Sequence, residues 1–415
     1  MKYLILVPDG AGDEPIENLG GKTPLESARL PHINALAQRG EVGMVRTIPE
    51  GVAPGSDAAN LSVMGYDPAV YLTGRSPLEA ASIGIDMSET DVAFRTNIIT
   101  VSGDGAYEDL TIEAHSAGDI STEEADQLIR AVNEAFADQK HRFYTGVSYR
   151  HCMIVHEGAT DYELTPPHDV LGRRVGDYLP KGRDSRFITD MMKTSYDILN
   201  RHPVNEERRK KGLNPANSLW IWGQGKKPKL SSFYEKYHIL GAAISAVDLI
   251  KGIAICAGLD SINVPGATGT LRTNYEGKAK AAVDAFKSGK DFVYVHLEGP
   301  DECSHQGDLF GKIACLEDID AKVLAPVVEY LRAAKEGKIP RVPAGEDFRI
   351  LIVPDHRTPL RIRTHASEPV PFVLYDSSCE TEPGADKRFS ERSGETGSSF
   401  DSGYALADHF FQRNK

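Results

Sequence analysis

Apolar positions in this chain arrive in short unbroken runs rather than in strict alternation. Tyr3-Leu4-Ile5-Leu6-Val7, Phe292-Val293-Tyr294-Val295 and Ile350-Leu351-Ile352-Val353 each read as a strand buried on both faces. Proline, which has no N–H for a ladder, follows two of them directly, in Pro8-Asp9-Gly10 and Pro354-Asp355-His356. The third runs through His296-Leu297-Glu298 into Gly299-Pro300-Asp301. A carboxylate therefore stands just beyond the end of each run. Further strands are expected at residues 42–47, 261–264 and 370–375.

Helical spacing occupies the intervals. Residues 23–39 carry it with an interruption at Pro31, and residues 243–259 and 275–286 repeat it. Gly55-Ser56-Asp57 opens another helix, since Gly55 permits a tight turn and Ser56 and Asp57 are good N-cap residues. The texture changes between residues 91 and 205. There, alternating segments at 93–101 and 151–156 predict strands, and Ser121-Thr122-Glu123-Glu124 offers a capping box for a helix over 122–136. We expect an α/β domain formed by residues 1–90 and 206–415, with helices on both faces of a doubly wound sheet, and a smaller α+β domain of residues 91–205 inserted into it. Residues 223–229 read as a basic loop and 377–402 as a surface loop ahead of a C-terminal helix over 403–412.

Composition narrows the function. At 415 residues the chain is too long for one core, and 40% hydrophobic with 26% charged residues is the balance of a soluble globular protein. A net charge of -13 argues against broad binding of nucleic acid or an acidic membrane, while leaving room for a small anionic substrate held by a few local cations. Five scattered cysteines without CxxC spacing fit reduced thiols in a cytosol. The N-terminal apolar run is too short for a signal peptide, and no stretch reaches the ~20 apolar residues of a membrane helix. A soluble, cytoplasmic protein is expected, and homo-oligomerisation is compatible with the sequence.

The candidate chemistry lies at the run ends. Asp301 and His305 are four apart, so one helical turn puts them on one face. His365 follows His356 by nine residues. Asp9, Asp301, His305, Asp355, His356 and His365 offer the carboxylate and imidazole donors suited to Mn, Zn or Mg. An Asx-turn would equally suit Asp9-Gly10. Ser56, at a helix N-terminus that favours an anion or alkoxide, is a nucleophile if a base or metal lowers its pKa. So many ligands suggest two ions, and phosphoryl transfer is the usual chemistry of such a pair. No P-loop and no GxGxxG after a strand is found.

Pro8-Asp9-Gly10, Pro54-Gly55-Ser56-Asp57-Ala58-Ala59-Asn60, Pro300-Asp301 with His305, and Pro354-Asp355-His356 with His365 resemble the metal motifs of the alkaline phosphatase superfamily. Gly74-Arg75-Ser76-Pro77-Leu78-Glu79-Ala80-Ala81 and Thr273-Asn274-Tyr275-Glu276-Gly277-Lys278 bring the resemblance to the archaeal-type cofactor-independent (2,3-bisphosphoglycerate-independent) phosphoglycerate mutases, over nearly the whole chain. That resemblance implies an alkaline-phosphatase-like sheet and two divalent metal ions, one on Asp9, Ser56, Asp355 and His356 and the other on Asp301, His305 and His365. It implies that Ser56 takes the phosphoryl group of 3-phosphoglycerate and returns it to the neighbouring hydroxyl, with no bisphosphoglycerate required. His115, Arg150 and Lys236 resemble positions that bind the phosphate and carboxylate of the substrate, and the inserted domain would clamp it. Some members of this branch are proposed homoserine kinases, and the same metal core would serve that alternative. A scaffold that had lost activity would be expected to lack the nucleophile or a ligand, and none is missing here.

Overall fold

Strands form at the apolar runs because both of their faces find a helical layer. The computed structural model describes residues 1–136, 138, 140–340, 344–384 and 386–411. In chain order the strands are β1 (Lys2–Pro8), β2 (Glu41–Val45), β3 (Val92–Ser102), β4 (Thr111–Ala114), β5 (His141–Val147) and β6 (Arg150–Val155). They continue with β7 (Tyr162–Glu163), β8 (Lys181–Gly182), β9 (Ser218–Lys226), β10 (Gly241–Ile244) and β11 (Asp260–Ile262). The last four are β12 (Phe292–Leu297), β13 (Phe348–Ile352), β14 (Val370–Asp376) and β15 (Ser398–Phe400).

The chain divides into two compact units, Met1–Leu72 with Lys229–Lys415, and Thr73–Pro228. The first holds a sheet in the order β11-β10-β12-β1-β13-β14-β2-β15. Its centre is parallel, with β1 between β12 and β13, and β14 runs antiparallel to both β13 and β2. Leu4, Leu6, Val293 and Val295 pack into one core with helices Pro31–Arg39, Tyr275–Lys287 and Ala325–Lys335. Tyr3 and Phe292 face the other way, where Phe410 lies 5.5 Å from Tyr3 and Phe233 stacks on Phe292 at 4.8 Å. Alternate side chains thus enter opposite cores, and a run with no polar break is the result.

The expected boundaries at 90/91 and 205/206 fall inside the second unit. Its sheet runs β4-β3-β6-β5 with β9 on β3, so residues 223–226, expected as part of a basic loop, are the end of strand β9. Helix Ser76–Ser82 belongs to this unit as well: Ser76 donates to the carbonyl of Gly223, at the edge of that added strand. Sequence texture changes where the alternating strands begin, whereas the unit ends where pairing ends. Helices Thr122–Phe136 and Arg186–Leu199 cover the sheet, and the core includes Phe94, Leu128, Met192 and Trp220.

Two local expectations need correction. Residues 243–259 are not one helix: β10 supplies the start and helix Asp248–Cys256 the rest, because a fully buried strand and a buried helix share the same apolar density. Residues 377–402 contain helix Glu391–Glu395 and edge strand β15 as well as loop. The C-terminal helix spans Gly403–Phe411, and Gln412 lies outside the described residues. Among the described residues no helix is long and apolar enough to cross a membrane.

Candidate metal centre

Parallel pairing of β1, β12 and β13 sets their carboxyl ends side by side. Asp9 N donates to Leu297 O at 3.0 Å and Val353 N to Leu6 O at 3.1 Å, so the three segments leave the sheet together. This is where open α/β sheets place ligands. Gly10 turns with φ +63°, and a Cβ there would stand 2.6 Å from Thr358 Oγ1 and 2.7 Å from Asp301 Oδ1, so only glycine lets the first segment approach the third.

Two groups of donors converge at these ends: Asp9, Asp355 and His356, and Asp301, His356 and His365, with the ligand atoms of each group within 4.8 Å of one another. His305, on helix Gly299–Gln306 one turn after Asp301, adds its Nε2 at 3.1 Å from Asp301 Oδ2 and 3.2 Å from His365 Nε2. Ser56 is the first residue of helix Ser56–Val63, with Gly55 in the N-cap place, and its Oγ lies 3.1 Å from His356 Nε2. The structure therefore gathers all seven residues singled out from the run ends and the helix N-terminus.

Hydrogen bonding fixes the tautomer of His356. The Thr358 hydroxyl donates to Asp301 Oδ1 at 2.5 Å, so its oxygen accepts from His356 Nδ1 at 3.2 Å. The Nε2 lone pair is left facing Ser56. Burial lowers the pKa of His356, which favours the same neutral ring.

Charge in the cluster is not balanced by its own groups. Burial, and then the facing carboxylates of Asp355 and Asp301, push Asp9 well above the usual carboxylate range. Asp9 Oδ1 is buried without a hydrogen-bond partner among the described residues. Asp355 is buried too, yet His356 and His296 outweigh that and hold it below its ordinary value. The Asp301 hydrogen bond raises His305 to about 9. An orphaned carboxylate oxygen among oxygen and nitrogen donors is what a site for divalent cations needs, so these residues fit such ions.

Sequence reasoning passed over several groups here. Asn60, fully buried, donates to Asp355 Oδ2 at 2.7 Å and to the Ser56 carbonyl at 2.8 Å. Tyr294 donates to Asn60 Oδ1 at 2.5 Å. His296 Nε2 stands 3.0 Å from Asp9 Oδ2, and Lys278, from the Thr273–Lys278 motif, donates to the His296 carbonyl at 2.9 Å. Tyr294 and His296 sit inside an apolar run, where a polar residue aimed at one face is the signal that could have found them.

The expected anion contacts divide between the two units. Lys236 gives its ammonium to the Gly65 carbonyl and lies 3.7 Å from Asp408, past the C-terminal end of the Ser56–Val63 helix rather than at its start. In the second unit His115 contacts Tyr149 and His168 edge-on at 5.6 Å and 6.1 Å, and Arg150 lies over Tyr149 at 5.4 Å. Arg95, over Trp222 at 4.3 Å and 3.0 Å from Glu79, joins this cationic and aromatic face. Burial, opposed by Glu79 and reinforced by Arg75 and Arg150, lowers its pKa.

Comparison with known proteins gives consistent matches. The family described as 2,3-bisphosphoglycerate-independent phosphoglycerate mutase matches residues 37–205. A Methanosarcina acetivorans protein of that description is 47% identical over 399 residues, 96% of either chain. Among solved structures, a Pyrococcus horikoshii protein covers 100% of this chain and 98% of its own at TM-score 0.81 and 29% identity. The cofactor-independent phosphoglycerate mutase of Thermoplasma acidophilum covers 99% of each chain at TM-score 0.67 and 28% identity.

Proposed function

We propose, from the premise that this chain belongs to the 2,3-bisphosphoglycerate-independent phosphoglycerate mutase family, that its phosphoryl transfer runs through Ser56. The chain is an isomerase that interconverts 3-phosphoglycerate and 2-phosphoglycerate. The homoserine kinase alternative is not favoured, since the relatives are described as mutases. The observation that carries the assignment of Ser56 is its hydroxyl, 3.1 Å from the His356 Nε2 lone pair and on a helix N-terminus.

Asp9, Ser56, Asp355 and His356 would hold one divalent ion, and Asp301, His305 and His365 the second, drawn from Mn, Zn or Mg by their hard and borderline donors. Bound ions would make the Ser56 hydroxyl a stronger nucleophile and neutralise charge on the transferring phosphoryl group. In the first half-reaction the Ser56 hydroxyl gives up its proton, a bond forms between Oγ and phosphorus, the bond from phosphorus to the substrate 3-oxygen breaks, and that oxygen takes a proton. In the second, the 2-hydroxyl loses its proton and attacks the phosphoserine, and Oγ leaves and takes a proton. Both half-reactions use the one phosphoryl group, so no bisphosphoglycerate is consumed. The substrate contacts we assign are His115 and Arg150, an imidazole and a guanidinium suited to phosphate and carboxylate, while Lys236 is already engaged by the Gly65 carbonyl.

The test supplies 3-phosphoglycerate to metal-loaded protein, couples 2-phosphoglycerate to enolase, and adds no bisphosphoglycerate. Turnover is expected there, and none with ATP and homoserine. Ser56→Ala is expected to lose on the order of 10^4-fold or more in kcat at an unchanged unfolding temperature. Retained turnover in that variant would sink the phosphoserine route.

A further inference from the structure

We infer that Asn60 and Tyr294 are positioning residues for this reaction, tying the Asp355 carboxylate to the turn that carries Ser56. The inference rests on the reading above that Asp355 holds a metal ion. Both side chains are fully buried, Asn60 on the Ser56–Val63 helix and Tyr294 on β12.

The amide can sit only one way round. Asp355 Oδ2 and the Ser56 carbonyl are acceptors, so the atom 2.7 Å and 2.8 Å from them is the NH2 group, and both of its hydrogens are used. Its carbonyl oxygen receives the Tyr294 hydroxyl at 2.5 Å. One buried side chain therefore joins a carboxylate of the ion cluster to the backbone of the proposed nucleophile. The phenol donates to the other end of the amide and holds it in that orientation. Without that hydroxyl the amide oxygen is left buried with no donor, and the bridge loses one of its three anchors. The arrangement does more than fill space: apolar side chains of equal volume would pack in both places but leave the buried Asp355 Oδ2 without this donor. The remaining Asp355 oxygen accepts from the backbone N–H groups of Gly10 at 3.2 Å and His356 at 2.9 Å, so the carboxylate is clamped at both ends. Groups of this kind, which orient a ligand without touching the ion, commonly change metal affinity by about 10–100-fold when removed.

The experiment uses Tyr294→Phe, which deletes one oxygen and keeps the ring, and Asn60→Ala, which deletes the bridge. Chelator-stripped protein is titrated with manganese(II) by calorimetry, and reloaded protein is assayed with 3-phosphoglycerate. Tyr294→Phe is expected to bind manganese about tenfold more weakly, with kcat reduced and KM within about twofold. Asn60→Ala is expected to show the larger loss of both, and the stripped variants to unfold within a few degrees of the parent. Parental manganese affinity and kcat in both variants would overturn the inference. Failure of the parent protein to bind manganese would instead sink the metal reading, and this inference with it. Turnover surviving in Ser56→Ala would remove the phosphoserine route and leave the titration result standing.

Discussion

Asp9 and Asp13 are four residues apart and both 2% exposed, yet their surroundings differ in kind. Asp13 takes the Lys312 ammonium at 2.7 Å and the backbone N–H groups of Glu14 at 2.8 Å and Leu360 at 3.3 Å. Lys312, itself fully buried, also donates to the Thr358 carbonyl at 3.0 Å. Asp9 has one oxygen with no hydrogen-bond partner among the described residues and faces other carboxylates. Burying either charge costs several kcal/mol before compensation. At Asp13 the chain supplies the compensation; at Asp9 it stops short, and the deficit has the sign of a cation. Completeness of partners, rather than burial or charge, separates a carboxylate that holds the fold from one poised for chemistry. Thr358 joins the two centres, its carbonyl on Lys312 and its hydroxyl on Asp301.

The sharpest way to break this contrast is Lys312→Met. It strands Asp13 without its cation and is expected to cost about 3–5 kcal/mol in urea unfolding of chelator-stripped protein. A loss below about 1 kcal/mol would mean that Asp13 is satisfied by its backbone donors alone. The paired substitutions Asp9→Asn and Asp13→Asn should then move in opposite directions. Asp13→Asn is expected to lose about 1–3 kcal/mol with metal binding retained. Asp9→Asn should leave the stripped protein at least as stable as its parent, because it removes a charge from a crowded site, while manganese binding falls. If Asp9→Asn destabilises the stripped protein as much as Asp13→Asn does, the two carboxylates are alike and the contrast is wrong.

A fourth substitution asks whether one orphaned atom is enough to mark a site. His151 in the second unit is buried, its Nε2 has no hydrogen-bond partner among the described residues, and its Nδ1 accepts from Gly146 N. No metal-ligand group gathers around it among the described residues. Burial lowers its pKa from 6.5 to about 3. Between those values the unfolded chain binds a proton that the native ring refuses. The contribution is therefore intact above pH 6.5 and is lost as pH falls toward about 3. At pH 5 the loss is expected to be about 2 kcal/mol, measured as the change in unfolding free energy from pH 7.5 in His151→Phe against its parent. Equal pH dependence in the two proteins would show that His151 is protonated in the native state.

Much of this was written locally. Runs such as Leu4–Val7 and Ile350–Val353 read as strands between two helical layers, because they are short, end at a proline and offer no polar position to water on either face. Prolines stopped two of the three runs that end at the site, and the side chains beyond were carboxylates and imidazoles, so the candidate donors could be named. Other features had no local sign. The end of β9 looked like part of a basic loop because its partner β3 is more than a hundred residues upstream. Asn60 reads as an ordinary helical residue and Tyr294 as strand filler until a partner from another segment reaches each of them. Lys236 matched a motif, and the structure engages it with Gly65 and Asp408.

The sequence by itself determined which segments bury both faces and which donors stand at their ends, since those follow from hydrophobicity and backbone chemistry over a few residues. Only the tertiary structure decided that Asp9, Asp301 and Asp355 meet. Their separation along the chain is bridged by the parallel register of β1 with β12 and β13, a set of hydrogen bonds between segments that carry no record of one another.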